Sequence, residues 1–483
     1  MIAKTKATGT GPLLSEVLAY TSSLQDDKGL VNIDVVGSIA HLAMLEAVAL
    51  VSPEDAKAIR DELVEILREG WEGRLTLPED EEDVHMAVEA RLTEKLGERA
   101  GLLHTARSRN DQIALDLSLY VRDMCRDAVE AVAATVDFLA ARAEADHDVI
   151  LPAYTHRQRA MPVTGGFWWA SYGAMFVRDL ELLDYVLYRA DVLPLGAGAV
   201  AGTSLPIDRD HVKKTLDFSR CSINAMDAVG DRDFEIDFAY ACARIMSHVG
   251  KIASDMIEFA SSESRFIVLG DAIACGSSMM PQKKNPDLFE LLRGKGARTQ
   301  GSLTTLMAIT SKLPSGYGRD LQEGRQALFE AAGTVLHALP MLRIALQNVA
   351  FDRERCLAAV DGDYMQATDL AEAMVLRHKT PFRTAYRLVG ELVKLARDAN
   401  VPLAKVTITQ AQSIDFRFDA QVLAALDPRK SPARKTSAGG TAPERVDEQI
   451  QTLRNAAKSA RNGLKETTPI LAMIGRLVNA KNG

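Results

Sequence analysis

Residues 111–140 read DQIALDLSLYVRDMCRDAVEAVAATVDFLA, inside a longer stretch from Gly101 to Pro152 that has no glycine or proline between its ends. Apolar side chains recur at Ile113, Leu117, Val121, Met124, Ala128, Val132, Val136 and Leu139, the three-and-four spacing of a helix face. Roughly thirty residues at 1.5 Å rise make a rod of about 45 Å, long against the ~23 Å radius of gyration of a compact globule of this size. Such a rod must lie beside others. Outward from it, Asp208 to Phe266 is proline-free and expected to break at Gly230, and Asp320 to Val349 carries Pro340, which should kink it. Helices of this length bury their apolar faces most economically in a bundle. The reading is an all-α fold in three regions: an N-terminal helical domain over 1–107, a long-helix bundle over 108–360 and a C-terminal helical domain over 361–483. In the first, Pro53 follows Ser52 as a helix N-cap; in the last, the cluster Arg429, Lys430, Arg434 and Lys435 reads as a solvated loop face.

Composition excludes several classes. With 47% hydrophobic, 25% charged and 6% aromatic residues the chain is neither disordered nor collagenous, and a core of Ala, Leu and Val favours packed helices over a sheet sandwich. A formal charge of −8 offers nothing global to nucleic acid or an anionic membrane. The five cysteines are widely spaced with no C-x-x-C, which argues against a disulfide framework or structural zinc and for reduced thiols. No secretory signal is visible at the N-terminus, and the longest uncharged runs, near Thr164–Val177 and Val192–Ile207, fall short of ~20 residues. The expectation is a soluble, cytoplasmic protein.

Three polar segments interrupt the helical runs where a connector would not need them. His104 to Gln112, with Arg107, Ser108, Arg109 and Asn110, gathers donors at a helix N-terminus, where a carboxylate would bind; the alternative is a capping segment whose arginines reach acidic neighbours. Tyr154 to Pro162 places His156 at an element boundary, able to titrate near neutral pH or to serve structure alone. Gly276 to Asp287 sets two serines, two lysines and Asn285 on a loop broken by Gly and Pro, suited to closing over an anionic substrate.

These residues carry a resemblance. Gly276-Ser277-Ser278-Met279-Met280-Pro281-Gln282-Lys283-Lys284-Asn285-Pro286 resembles the signature loop of the fumarase/aspartase superfamily, and its Pro-Gln-Lys-Lys-Asn-Pro form is similar to that of the argininosuccinate lyases. His104–Gln112, Tyr154–Pro162, Leu193–Gly196 with Gly198, Arg232-Asp233-Phe234, Tyr317 with Asp320-Leu321-Gln322, and Gly439–Ala442 fit as well, so the similarity runs from about residue 20 to 455.

The resemblance implies anti elimination of argininosuccinate to arginine and fumarate without a cofactor, in a homotetramer whose sites draw on three subunits. By similarity Ser277 is the general base and Ser278 its neighbouring rival, while Lys283, Asn285 and the loop amides stabilise the charge that develops. His156, held by Glu290, is the proton donor to the leaving nitrogen or a group that only positions others. Ser23, Arg107, Ser108, Asn110, Thr155, Tyr317, Gln322 and Arg325 are the substrate-binding set. Two departures stand out: Arg325 occupies the position of a usual lysine, exchanging a point charge for a planar fork, and residues 1–16 lack the family's Trp-Gly-Gly-Arg-Phe segment. The competing readings are a lyase releasing fumarate from another N-substituted aspartate, and a catalytically silent, crystallin-like structural homologue.

Overall fold

The computed structural model describes residues 14–78, 81–464 and 468–479; most of the segment in which Trp-Gly-Gly-Arg-Phe is missing lies outside them. Helices α1 (Val31–Ala47), α2 (Pro53–Trp71) and α3 (Val84–Leu96) lead into α4 (Arg109–Ala145), the quoted run, as one unbroken helix of 37 residues. Pro53 opens α2 and the Ser52 hydroxyl accepts the Asp55 amide at 3.1 Å, as the sequence predicts. A hairpin of β1 (Ile150–Thr155) and β2 (Gln158–Thr164) follows, then α5 (Gly165–Ala190) and α6 (Asp233–Ala260). A small hairpin of β3 (Cys275–Gly276) and β4 (Lys284–Asn285) precedes α7 (Asp287–Thr310) and α8 (Gly324–Gln347).

Helices α4 to α8 pack lengthwise on one another. The predicted stripe on α4 is the reason: Val121, Ala128, Val132, Val136 and Leu139 are all buried, facing Trp169 and Phe176 of α5, Phe238 and Ile245 of α6, and Leu328 and Val335 of α8 in one core. Among the described residues the strands form only four two-stranded pairs, so the fold is helical, and all five cysteines are free.

The Asp208–Phe266 run breaks more often than expected: short helices Arg209–Thr215 and Ala225–Gly230 precede α6, and Asp217 at φ +56° ends the first of them without a glycine. Helix α8 runs uninterrupted through Pro340, which removes one ladder bond but not the helix.

Beyond α9 (Arg353–Asp361), helices α10 (Ala367–His378) and α11 (Phe382–Asp398) belong to a second apolar core built on Leu370, Met374, Leu388, Leu392, Phe418 and Leu426. Lys435 corrects the solvated-loop reading, because its ammonium pairs with Asp369 and with Glu372 (2.7 Å) and its side chain is largely covered. Helix α12 (Pro443–Gly463) returns to pack on α4 and α5, and α13 (Ile470–Asn479) packs on α1 and α2. Two stretches, Ser15–Ala47 and Arg319–Gln347, are long and apolar enough by composition to cross a membrane; the most apolar window of the first is 78% buried within the molecule, as a core segment must be.

Candidate active site

The start of α4 is both cap and anchor. Ser108 accepts the Asn110 amide (3.3 Å) and Asp111 takes the Ser108 amide (2.9 Å), a capping box. The second Asp111 oxygen accepts the amides of Gly196 (3.0 Å) and Gly198 (2.8 Å), and the Asn110 amide group donates to the Ala199 carbonyl (3.0 Å). Gly198 has φ +61°, and a Cβ there would stand 2.8 Å from the Gly202 carbonyl oxygen, so only glycine lets this loop strap onto the helix start.

Beside it lies a cavity of about 560 Å³ whose lining includes Asp83, His104, Ser108, Tyr317, Gln322 and four arginines, Arg107, Arg109, Arg319 and Arg325. Each arginine is anchored: Arg109 on Asp83 (2.5 Å), Arg319 on Glu82 and the Thr21 carbonyl (2.7 Å), Arg107 on the Ser38 hydroxyl (2.9 Å), and Arg325 on Asp27 and the Ser23 hydroxyl (3.2 Å). Ser23 in turn donates to Asp27 at 2.5 Å, and Gln322 donates to the Thr21 carbonyl at 3.1 Å. A guanidinium has five N–H donors, so these anchors fix each fork and leave donors for a ligand.

Under the cavity, His85 faces Asp34 (3.1 Å) and Asp116 (3.5 Å), and Gln112 donates to Asp34 (2.5 Å), all buried. Burial works to raise the Asp34 carboxyl, but His85, Arg107 and Gln112 outweigh it and hold it at about 2. Burial and then the Asp34 charge push Asp116 well above the usual carboxylate range, opposite to its neighbour Asp34. These three side chains bring possible ligand atoms within 4.8 Å of one another, yet the Arg107 guanidinium alongside already supplies the balancing cation. His41 donates through Nε2 to the Thr105 carbonyl (2.9 Å) and is pushed down to about 3 by burial and by the Arg107 charge.

The other two polar segments project elsewhere. His156 and Arg157 are the central residues of the two-residue turn joining β1 to β2, with Thr155 opposite Gln158. Their φ values of +51° and +59° make it a type I′ hairpin turn, normally filled by Asn-Gly; a left-handed conformation costs a side-chain-bearing residue about 1–2 kcal/mol. Both are exposed, and among the described residues the imidazole has no hydrogen-bond or ion-pair partner. On the Gly276–Asp287 segment the Ser277 hydroxyl oxygen accepts the amides of Met279 (3.3 Å) and Met280 (3.1 Å). Lys283 is exposed, and Lys284 pairs with Asp271.

Two family models match the chain, one described as lyase over residues 15–301 and one as argininosuccinate lyase C-terminal over 364–433. Argininosuccinate lyases of Chloroflexus aggregans and Moorella thermoacetica are each 41% identical to it, covering 92% of this chain and 96% of theirs. The chain belongs to the argininosuccinate lyase family. Among solved structures, an EDDS lyase in complex with formate superposes with a TM-score of 0.82 at 22% identity, covering 98% of this chain and 96% of the other. A 3-carboxy-cis,cis-muconate lactonizing enzyme from Pseudomonas putida gives 0.72 at 20%, covering 91% and 99%. At those identities the likeness is one of fold.

Against the residues expected of an argininosuccinate lyase, this chain brings together Ser23, Arg107, Ser108, Tyr317, Gln322 and Arg325 around one cavity, with Asn110 on its helix. Thr155, His156, Ser277, Lys283, Asn285 and Glu290 do not line it. Nor does one chain join His156 to Glu290, which is exposed in the first turn of α7. Asp111, which holds the glycine loop, was read only as part of the His104–Gln112 segment; Asp27, Asp83 and Glu82, which hold the arginines, were not among the residues read from sequence. Their only local signals are Ser23 and Asp27 one helical turn apart and Asp83 as the N-cap of α3.

Proposed function

We propose that this chain catalyses the reversible anti elimination of argininosuccinate to L-arginine and fumarate. The observation that carries the reading is the ring of four anchored arginines beside the N-terminus of α4, which presents N–H donors and positive charge to a ligand bearing several carboxylates. Ser277 removes the Cβ proton; the electron pair passes into the neighbouring carboxylate, and Lys283 and Asn285 stabilise the doubly charged aci-carboxylate. A serine can act as base only as a stabilised alkoxide, and the two amides already on its oxygen support that role. The Cα–N bond then breaks, and His156, oriented by Glu290, protonates the departing guanidino nitrogen. An anti elimination needs acid and base on opposite faces of the substrate, in keeping with their place on separate hairpins. Thr155 joins the substrate-binding set, and no cofactor takes part.

Such a site has to be completed by other copies, so we propose a cytoplasmic homotetramer. Exposed apolar side chains on the bundle support it: Tyr240 of α6, Leu291 and Met307 of α7, and Met341 and Ile344 of α8. The three-region division at 107/108 and 360/361 is retained as part of this reading, its last boundary supported by the separate core around Leu370–Leu426. The test is fumarate absorbance with argininosuccinate, adenylosuccinate, aspartate and an aminopolycarboxylate in parallel. Turnover of argininosuccinate alone is expected; preference for another N-substituted aspartate would transfer the assignment, and no turnover of any would favour the silent homologue.

A further inference from the structure

We infer that Arg157 and Glu258 form a positioning pair that sets the approach of His156 to the substrate, an inference that rests on His156 acting in the elimination. The turn takes a conformation suited to Asn-Gly, yet it holds histidine and arginine, both at positive φ. Neither side chain is buried within one chain, so packing inside that chain does not offset the strain. Strain held at an exposed loop tip, with an unpartnered imidazole beside it, is the pattern of a side chain aimed for use. What the turn has instead of packing is an ion pair: the Arg157 guanidinium reaches Glu258, in the last turn of α6.

That pair is 78% and 50% exposed at its two ends, in the range where such contacts add little to stability. It can still choose among orientations of an unrestrained hairpin tip. Because Arg157 follows His156 directly in a two-residue turn, any backbone rocking of the turn that carries the imidazole also carries the guanidinium, and Glu258 opposes it. A second lash lies farther down the hairpin, where Arg159 donates to the Ala359 carbonyl (3.0 Å) and approaches Asp363 (3.4 Å) at the end of α9. Thus the hairpin is tied to two different helices just past its tip, while the His156 imidazole, one residue ahead of the first tie, is left without a partner among the described residues. Acid catalysis depends on the donor's placement at the leaving nitrogen in the transition state, so slackening the mount should lower kcat more than it raises KM.

Arg157→Gly separates position from stability, since glycine is at ease at positive φ. The expected result on the full-length protein is an unchanged or higher Tm, KM within about twofold, and kcat about tenfold lower, with Arg157→Lys restoring most of it. Glu258→Gln should reproduce the fall in kcat, and the double variant should be no worse than either single one, the signature of a shared interaction. The pairing is overturned if Glu258→Gln leaves kcat within twofold of the parent, if Arg157→Gly chiefly raises KM as a direct substrate contact would, or if its loss of activity follows a lowered Tm. His156→Asn distinguishes the underlying reading. If it retains parental kcat, the proton-donor role fails; if it abolishes turnover while Arg157→Gly and Glu258→Gln do not lower kcat, only the positioning inference fails.

Discussion

The arginine-lined cavity and the Gly276–Asp287 hairpin are both assembled from residues the sequence singles out, but they are built in opposite ways. In the cavity each arginine is held by a group from another element of the chain: Arg107 by Ser38, Arg109 by Asp83, Arg319 by Glu82, while Arg325 reaches Asp27 and Ser23 about 300 residues away, and Ser23, Asp27 and Arg325 are all buried. On the hairpin, among the described residues Ser277 bonds only to amides two and three residues ahead of it, and Lys283 is open to solvent. One region is finished within a single chain and stores stability; the other is presented outward, with little to lose when it moves. On the proposed assignment, binding and chemistry are thereby divided between a braced surface and a loosely tied one, as a closing loop requires.

The sharpest way to break that contrast is Ser277→Ala. Loss of the base should lower kcat by roughly 10²–10⁴ with Tm unchanged, because solvent replaces the hydroxyl at two exposed amides; thermal melting and fumarate assays on one preparation decide it. A variant that melts early would mean the hairpin is structural after all. Asp27→Ala addresses the opposite region and should cost about 3–5 kcal/mol in urea unfolding, since it leaves Arg325 buried without its counter-charge. A cost near zero would show that the cavity is no more braced than the hairpin.

Smallest is the pH effect at His41. Above its unfolded pKa of 6.5 both states are neutral and the residue contributes nothing to pH dependence; below it the unfolded chain takes the proton first, and stability is lost as pH falls toward about 3. His41→Gln, which can still donate to the Thr105 carbonyl, should therefore lose about 2 kcal/mol less than the parent on moving from pH 7.5 to pH 5. Equal losses in the two proteins would place the acid sensitivity elsewhere.

How much of this was legible follows from how far each signal extends along the chain. The periodicity of α4 is local, and it gave the helix and its buried face. The turn at His156 was invisible as a turn because it lacks the Asn-Gly that marks such hairpins. The break after Arg209–Thr215 was missed because Asp217 takes the left-handed conformation that sequence rules reserve for glycine. Ser23 and Arg325 were recognised by resemblance, but the carboxylates that brace the arginines were not. A salt bridge leaves no mark at either end of the sequence when its partners come from different helices.

Helix α13 carries one more consequence. Ile470, Met473 and Ile474 enter the same core as α1 and α2, and the Asp123 carboxylate of α4 accepts the Ile470 amide at 3.1 Å. During synthesis, the helices made first therefore wait for residues more than 400 positions downstream before their packing is complete. Until then the part of their apolar faces that α13 covers stays open to chaperones and to neighbouring chains. A ribosome stalled ahead of residue 470 would hold a nascent chain able to form α4 and unable to seal the helices before it.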